Sequence, residues 1–299
     1  MQVAKWGWKD AKAHQVPLLA AGVAFYAFLA IFPALIAVVT IYGLFADPSA
    51  IAQQLNSLAT ALPEQGRQVV TDQVTTLTTR GRQTLGIGLI ISIIIALWSA
   101  SAAVSNLMTA INIAYDEEEE RGFVKKRLLS LGLTLGAIVF MVIMLGLVAV
   151  LPPLLRAIFG TGPLRWVLQV IGWLVVVVLV ASVLAIIYRI APDRDAPRMA
   201  WVSVGAAVAT VIWLVASIGF SIYTATFGNY AKTYGVFAGI VVLLFWLWLT
   251  MYAILLGAEI NAEAEEQTVA DTTKRPEEPL GERRAVRADS IPPEDPGRV

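Results

Sequence analysis

Cysteine is absent from the 299 residues, and histidine occurs once, at position 14. The first absence removes disulfides and thiol chemistry. The second removes any metal site built on several imidazoles, and leaves a serine–histidine–acid triad only His14, beside Lys12, as its base. Neither an HExxH segment nor a Walker-type glycine loop is present. Catalytic, cofactor-binding and metal-binding residues are therefore expected to be none. Charge is scarce as well: 15% of residues are Asp, Glu, Lys or Arg, against about a quarter in soluble domains. Lys plus Arg and Asp plus Glu balance at 22 each, so the molecule as a whole has no electrostatic pull toward nucleic acid.

What is present is apolar and continuous. Charged side chains are missing throughout residues 17–46, 84–115, 128–155, 166–188, 199–231 and 233–258. Each window exceeds the ~20 residues that a helix needs to cross a hydrocarbon core of ~30 Å. The runs do not alternate with period 2, which excludes a barrel and leaves helices as the spanning form. The expected fold is all-α: a polytopic bundle of six transmembrane helices at about 17–46, 84–113, 128–151, 166–188, 199–225 and 234–258. The first window is long and has no small-residue cleavage pattern, so it is expected to be retained as a span.

The distribution of Lys and Arg sets the expected orientation. Lys5, Lys9 and Lys12 precede the first span; Arg121, Lys125, Lys126 and Arg127 follow the second; Arg189, Arg194 and Arg198 join the fourth to the fifth. These ten face six on the other side: Arg67, Arg80, Arg82, Arg156, Arg165 and Lys232. The positive-inside rule then places both termini in the cytoplasm. Trp6, Trp8, Trp166 and Trp201 fall at the expected boundaries, as interfacial anchors do.

Residues 1–263 form the expected membrane domain. Its outer loop, 47–83, carries Ile51, Leu55, Leu58 and Leu62 and then Val70, Val74 and Leu77 at helical spacing, interrupted by Pro63 and Gly66. Two short amphipathic helices are predicted there. Pro33 interrupts the backbone bonding of the first span. Residues 264–299 are rich in Glu, Arg and Pro and nearly free of large apolar side chains, the composition of a disordered cytoplasmic tail.

Three polar features stand out. The acidic run 116–120, followed by Lys125, Lys126 and Arg127, reads either as a divalent-cation site or, more simply, as a solvated inner face meeting lipid headgroups. Glu259, Asn261 and Glu263, at the end of the last span, face the same choice. The third is "LWSASAAVSNLMTAINIAYD", residues 97–116. At 100° per residue Ser99, Ser101, Ser105, Asn106, Thr109 and Asn112 fall within about 160°, opposite Val104, Leu107, Met108 and Ile111. An unpartnered amide in hydrocarbon costs several kcal/mol, so this arc should meet protein or water. It serves either as helix–helix glue or as the lining of a hydrated path. A span of this length, ~46 Å, should extend into the cytoplasm, tilt, or break near Ser99–Ser101. Gly132 with Gly136, and Gly235 with Gly239, have the spacing of small-residue packing seams.

The blocks "AAGVAFYAFLAIFPAL", "LWSASAAVSNLMTAINIAYD", "RGFVKKRLLSL" and "YRIAPDR", with "GFSIYTATFGNYAKTYGVFAGIVVLLFWLWLTMYAILLGAEINAE", occur in that order. Over about residues 1–263 the chain resembles the YihY/BrkB family of bacterial inner-membrane proteins, once labelled ribonuclease BN. The resemblance implies a six-span bundle in the inner membrane, and relatives have been connected with envelope lipid export. The absence of metal-ligand histidines and of a basic groove argues against the ribonuclease label.

Two functions are carried forward. In one, the protein moves a lipid-like amphiphile: Ser99, Ser101, Ser105, Asn106, Thr109 and Asn112 line the path, while Pro33, Tyr230 and Tyr234 shape its outer mouth. In the other it is a membrane scaffold or envelope-assembly factor, with the arc bonded shut against other spans. Expected partners are membrane lipids and the lipid-like substrate, without nucleic acid; a homo-oligomer is left open.

Overall fold

The computed structural model describes residues 2–45, 82–160, 162–226, 236–268, 270–273 and 277–290. Every regular element among them is a helix: α1 Gln2–Ala13, α2 Val16–Phe45, α3 Arg82–Ala114, α4 Phe123–Phe159, α5 Pro163–Ile190, α6 Met199–Thr226, α7 Val236–Glu266 and α8 Val286–Asp289. The helices α2 to α7 correspond in order to the six charge-free windows. Five stretches, within α3 to α7, are long and apolar enough to span a bilayer, and α2 taken with α1 as one bent pair makes a sixth. The predicted loop helices lie outside the described residues. So do Tyr230 and Tyr234, and the side chain of Pro33, through whose position α2 continues.

The six long helices close a ring in sequence order. α2 packs on α3, α3 on α4, α4 on α5, α5 on α6, α6 on α7, and α7 returns to α2. α3 also touches α7 across the interior. His14, before α2, bonds Asp116 after α3 and Glu259 near the end of α7, and the short connections after α3, α4 and α5 make those neighbours antiparallel. One end of the ring therefore gathers the start of α2, the end of α3, the end of α5, the start of α6 and the end of α7. The fully buried apolar side chains sit there: Val16, Met108, Ile111, Tyr188, Val202 and Leu255 among them. Toward the other end the large apolar side chains point outward, as Ile94, Met141, Val178, Val215 and Val241 do, over half exposed each. Only a hydrocarbon surrounding makes such a surface stable.

Glycine decides one crossing. A Cβ on Gly205 would lie 2.1 Å from the Gly257 carbonyl oxygen, and one on Gly257 would lie 2.5 Å from the Tyr188 hydroxyl. The α6 and α7 backbones touch at this pair, and Tyr188 of α5 donates to the Ile254 carbonyl at 2.6 Å beside them. The seams suggested by sequence spacing behave differently. A Cβ on Gly132, Gly136 or Gly239 would meet nothing within 4 Å. Gly132 and Gly136 on α4, and Gly239 on α7, leave their helix surfaces open rather than admit a neighbour. Gly235 lies outside the described residues.

Two left-handed residues turn the chain at the packed end. Gln15, with φ of 52°, ends α1, and the following axis swings by 63° into α2. Asp116, with φ of 55°, ends α3. Glu117 N–H reaches back to the Asn112 carbonyl at 2.9 Å and Asp116 N–H to that of Ile113 at 3.1 Å, the bond pair of a Schellman cap. Aspartate tolerates this conformation better than most residues do. α3 stays helical through Ser99–Ser101, so of the three geometries open to that long window a break is not the one adopted.

Of the region expected to be a disordered tail, the described residues 264–268, 270–273 and 277–290 lie on the packed end. Thr272, Thr273, Asp271, Arg283 and Arg287 are all buried. Arg198 donates to the Thr273 carbonyl, Arg198 N–H to that of Thr272, and Asp195 N–H to that of Arg284. Composition gave no hint of this, because the contacts are made by charge and backbone rather than by apolar area.

Candidate functional site

The polar arc of α3 is divided by its surroundings. Ser101 and Asn112 are buried, Ser99, Ser105 and Asn106 half-buried, and Thr109 exposed. Three of these six groups satisfy themselves locally. Ser101 Oγ donates to the Trp98 carbonyl at 2.8 Å, Asn106 Nδ2 to that of Ala102 at 2.8 Å, and Thr109 Oγ1 to that of Ser105 at 3.1 Å. Such back-bonds let a polar residue sit in a span without a partner helix. The opposite side of the helix, at Met108 and Ile111, is fully buried, so the access left in this half of α3 is on the side of Ser105, Asn106 and Thr109.

Asn112 is different because it ties three segments together. Its Nδ2 donates to Glu119 at 3.2 Å, and its Oδ1 accepts the Asp193 N–H at 2.8 Å. Asp193 Oδ2 in turn accepts the backbone N–H groups of Glu120 and Arg121 at 2.8 and 2.9 Å. The turn after α3 is thereby clamped to the linker after α5.

The exposed part of the arc lies along the seam between α3 and α4. Lys126 reaches across to Thr109 Oγ1 at 3.0 Å and to Glu119 at 3.3 Å. The next residue, Arg127, points the other way along α3, stacking over the Trp98 ring at 3.6 Å and donating to the Trp98 carbonyl at 2.8 Å. Two cations thus stand beside a row of hydroxyls and an amide on a face that is otherwise apolar.

A larger polar assembly, which sequence spacing did not bring together, closes the packed end. Arg194 and Glu265 have no exposed side-chain surface; Arg194 Nη2 donates to both carboxylate oxygens at 2.7 and 2.8 Å. Thr272 Oγ1 adds a bond to Glu265 at 3.0 Å, and the guanidinium lies 4.5 Å from the centre of the buried Tyr115 ring. Burial alone would lower the arginine pKa, but Glu265 beside it reverses this and holds the guanidinium above its ordinary value.

Next to this pair, His14 bridges Asp116 at 3.2 Å and the buried Glu259 at 2.9 Å. Hydrogen bonds to Asp116 and then to Glu259 push its pKa up to about 10 against desolvation, so it is a cation at neutral pH. The same bond to His14 holds Asp116 below its usual range. Asn261 spans the α6–α7 crossing, accepting from Gly205 N–H at 2.6 Å and donating to the Val202 carbonyl at 3.2 Å.

The acidic run has become part of this assembly. Glu117 accepts the Val286 N–H at 2.9 Å, and burial raises its pKa to about 7. Glu119 pairs with Arg121 at 2.6 Å. Asp10, Glu263 and Glu266 bring carboxylate oxygens within 4.8 Å of one another, a spacing that could hold a metal ion. The group standing among them is the guanidinium of Arg287, which pairs with Asp10 at 3.0 Å, Asp116 at 2.7 Å, Glu263 at 3.9 Å and also Glu266. Of this assembly the sequence reading singled out Glu259, Asn261, Glu263 and the acidic run. It missed His14, Tyr115, Arg194, Glu265 and Arg287, and the one available signal was the density of charge around "YRIAPDRDAPR".

Comparison with known proteins agrees with this architecture. The family model described as virulence factor BrkB matches residues 8–281. The protein YfkH of Bacillus subtilis (strain 168), named ribonuclease-like, is 35% identical over 260 residues, covering 83% of this chain and 90% of its own length. A UPF0761 membrane protein of Tolumonas auensis is 37% identical over 81 residues, 27% of this chain and 26% of its own. Another, AZOSEA40600 of Aromatoleum aromaticum, is 26% identical over 259 residues, 84% of this chain and 60% of its own. No solved structure matches.

Proposed function

From the premise that the chain belongs to the virulence factor BrkB family, we propose that it moves a lipid-like amphiphile across or within the bacterial plasma membrane. Both termini are cytoplasmic in this reading, on the balance of Lys and Arg between the two sides. The observation that supports it is the open α3–α4 seam, where half-buried Ser99, Ser105 and Asn106 and exposed Thr109 run beside Lys126 and Arg127. Hydroxyls and an amide give a polar headgroup successive hydrogen-bond partners, while its acyl chains stay in hydrocarbon outside the seam. Lys126 and Arg127 attract an anionic head to the cytoplasmic entrance. Ser101 and Asn112 border the same path from within, and Pro33, Tyr230 and Tyr234 shape its far mouth. No enzymatic step, cofactor or nucleic-acid partner belongs to this function.

The second reading, a scaffold or assembly factor without a transported substrate, is favoured by one observation. Asn112 spends both ends of its amide on fastening the α3–α4 turn to the α5–α6 linker. Reconstituted liposomes separate the two readings. Loss of outer-leaflet fluorescent lipid is expected to slow markedly in Asn106→Leu combined with Thr109→Val, two seam positions outside the Asn112 clamp. Equal rates for that variant and the parent remove transport and leave the scaffold.

A further inference from the structure

The α1–α2 corner carries a second feature outside the α3–α4 seam. α1 is amphipathic: Gly7 and Ala11 are buried, with Gly7 in ordinary contact with Ile260 of α7, while Trp8, Lys9 and Lys12 are exposed. The axis turns by 63° between this short helix and α2, and Gly7 seats it against the end of α7. A helix with Lys and Trp on its open face lies in the headgroup layer.

In the angle of the corner is a cleft of about 270 Å³, near the lower bound of roughly 300 Å³ for small-molecule sites. Trp8, Pro17, Leu18 and Tyr252 form its apolar walls, and Lys12 and Gln15 its polar rim. The cleft continues into the lipid-facing surface. Tyr252 stacks on Trp248 at 5.5 Å and Trp248 on Phe245 at 5.4 Å, while Trp248 Nε1 is held by the Pro17 carbonyl at 2.9 Å. Leu18, two-thirds exposed, flanks this aromatic ladder from α2.

The charge pattern identifies the occupant. The basic side chains deeper in this end of the bundle have carboxylate partners: Arg121, Arg194, Arg287 and His14 are all paired. Lys9 and Lys12 have, among the described residues, only aromatic faces, with Nζ 4.4 Å from the Trp6 ring centre and 5.7 Å from that of Trp8. Two ammonium groups free of carboxylates, at headgroup depth and opening onto an apolar track, complement an anionic phosphodiester with an acyl chain attached.

We propose that the α1–α2 corner is a binding site for an anionic phospholipid of the surrounding bilayer. The headgroup phosphate sits at the rim made by Lys12 and Gln15, with Lys9 on the same exposed helix adding its charge from outside the cleft, and one acyl chain lies along Leu18, Trp248 and Phe245. The site rests on the membrane-spanning fold and not on transport, and its test reads retention without movement, so either proposal can fail alone.

The test is native mass spectrometry of the full chain released from detergent containing equal phosphatidylglycerol and phosphatidylcholine with the same acyl chains. The parent should retain phosphatidylglycerol preferentially, and Lys9→Gln with Lys12→Gln should lower that preference by about fivefold per lysine. Lys9→Arg with Lys12→Arg should restore it. Lys125→Gln, an exposed charge at the start of α4, should leave it unchanged. Leu18→Asn should weaken retention of both lipids and keep their ratio. Absence of preference in the parent overturns the site, as does an unchanged preference in the double glutamine variant. An equal loss in Lys125→Gln would assign the effect to diffuse surface charge and overturn it too. Soluble glycerol phosphate in excess should not displace the lipid; displacement would make the ligand a free phosphate compound instead.

Discussion

The two ends of the helix ring follow opposite rules of stabilisation. At the packed end, polar and charged groups are buried and bonded to one another: Arg194 to Glu265, His14 to Asp116 and Glu259, Arg287 to four carboxylates. Along the rest of the ring the helices meet sparingly, and their large apolar side chains face outward. The first region gains its order from specific geometry, which one wrong side chain can ruin. The second gains it from the solvent, which in a bilayer accepts any apolar side chain of suitable length. The same substitution should therefore have unequal consequences in the two places.

The largest effect is expected from Arg194→Ala. Removing one partner of a fully buried ion pair strands the other charge, at about 3–5 kcal/mol. Thermal unfolding of the purified protein in detergent should show a large loss, and Arg194→Met combined with Glu265→Met should recover much of it. A small loss in the single variant would mean that water reaches Glu265. A direct comparison of the two regions comes next. Gly257→Ala forces a methyl against the Tyr188 hydroxyl, the Ala209 Cβ and the Gly205 carbonyl, an overpacking that costs about 1–3 kcal/mol. Gly136→Ala adds the same methyl where nothing lies within 4 Å, and should stabilise its helix by about 0.5–1 kcal/mol. Equal shifts in unfolding temperature would erase the distinction between the regions.

The last contrast between the regions is in pH dependence. His14 has a pKa of about 10 in the folded protein against 6.5 ordinarily. Its contribution is thus complete below pH 6.5 and is lost as pH rises toward 10. Glu117, raised to about 7 by burial, favours its protonated form, so its contribution fades as pH rises from about 4.5 to 7. The His14 effect is therefore read above pH 7. Unfolding temperature should fall more steeply between pH 7 and 10 in the parent than in His14→Gln. Parallel curves would detach His14 from the stability of this end.

These differences also explain what could be read from the sequence. Absence of charge over 20 or more residues is a local property, and it located α2 to α7 with boundaries that differ mainly where the helices run past the membrane. α4 continues to Phe159, through Pro152 and Pro153, beyond a span expected to end near residue 151. The polar arc was legible as a pattern on one helix. The ionic end was not, because its partners are remote: His14 and Glu259 are 245 positions apart, and Arg194 and Glu265 are 71 apart. Gly132 and Gly136 have a packing motif without a packed neighbour, whereas Gly205 and Gly257 lie on different helices and share no motif at all. Arg287 stood in a stretch whose composition promised no structure, and among the described residues it touches the most carboxylates.

The bond between Asp10 and Arg287 at 3.0 Å also has a temporal meaning. A ribosome makes Asp10 before any of the long apolar helices and Arg287 after all of them. Until Arg287 emerges, α1 has no guanidinium to neutralise the acids beside it, and the packed end stays unsealed. That end can close only once all six long helices have been made, and a chain cut short before Arg287 would leave Asp10, Glu263 and Glu266 facing one another unneutralised.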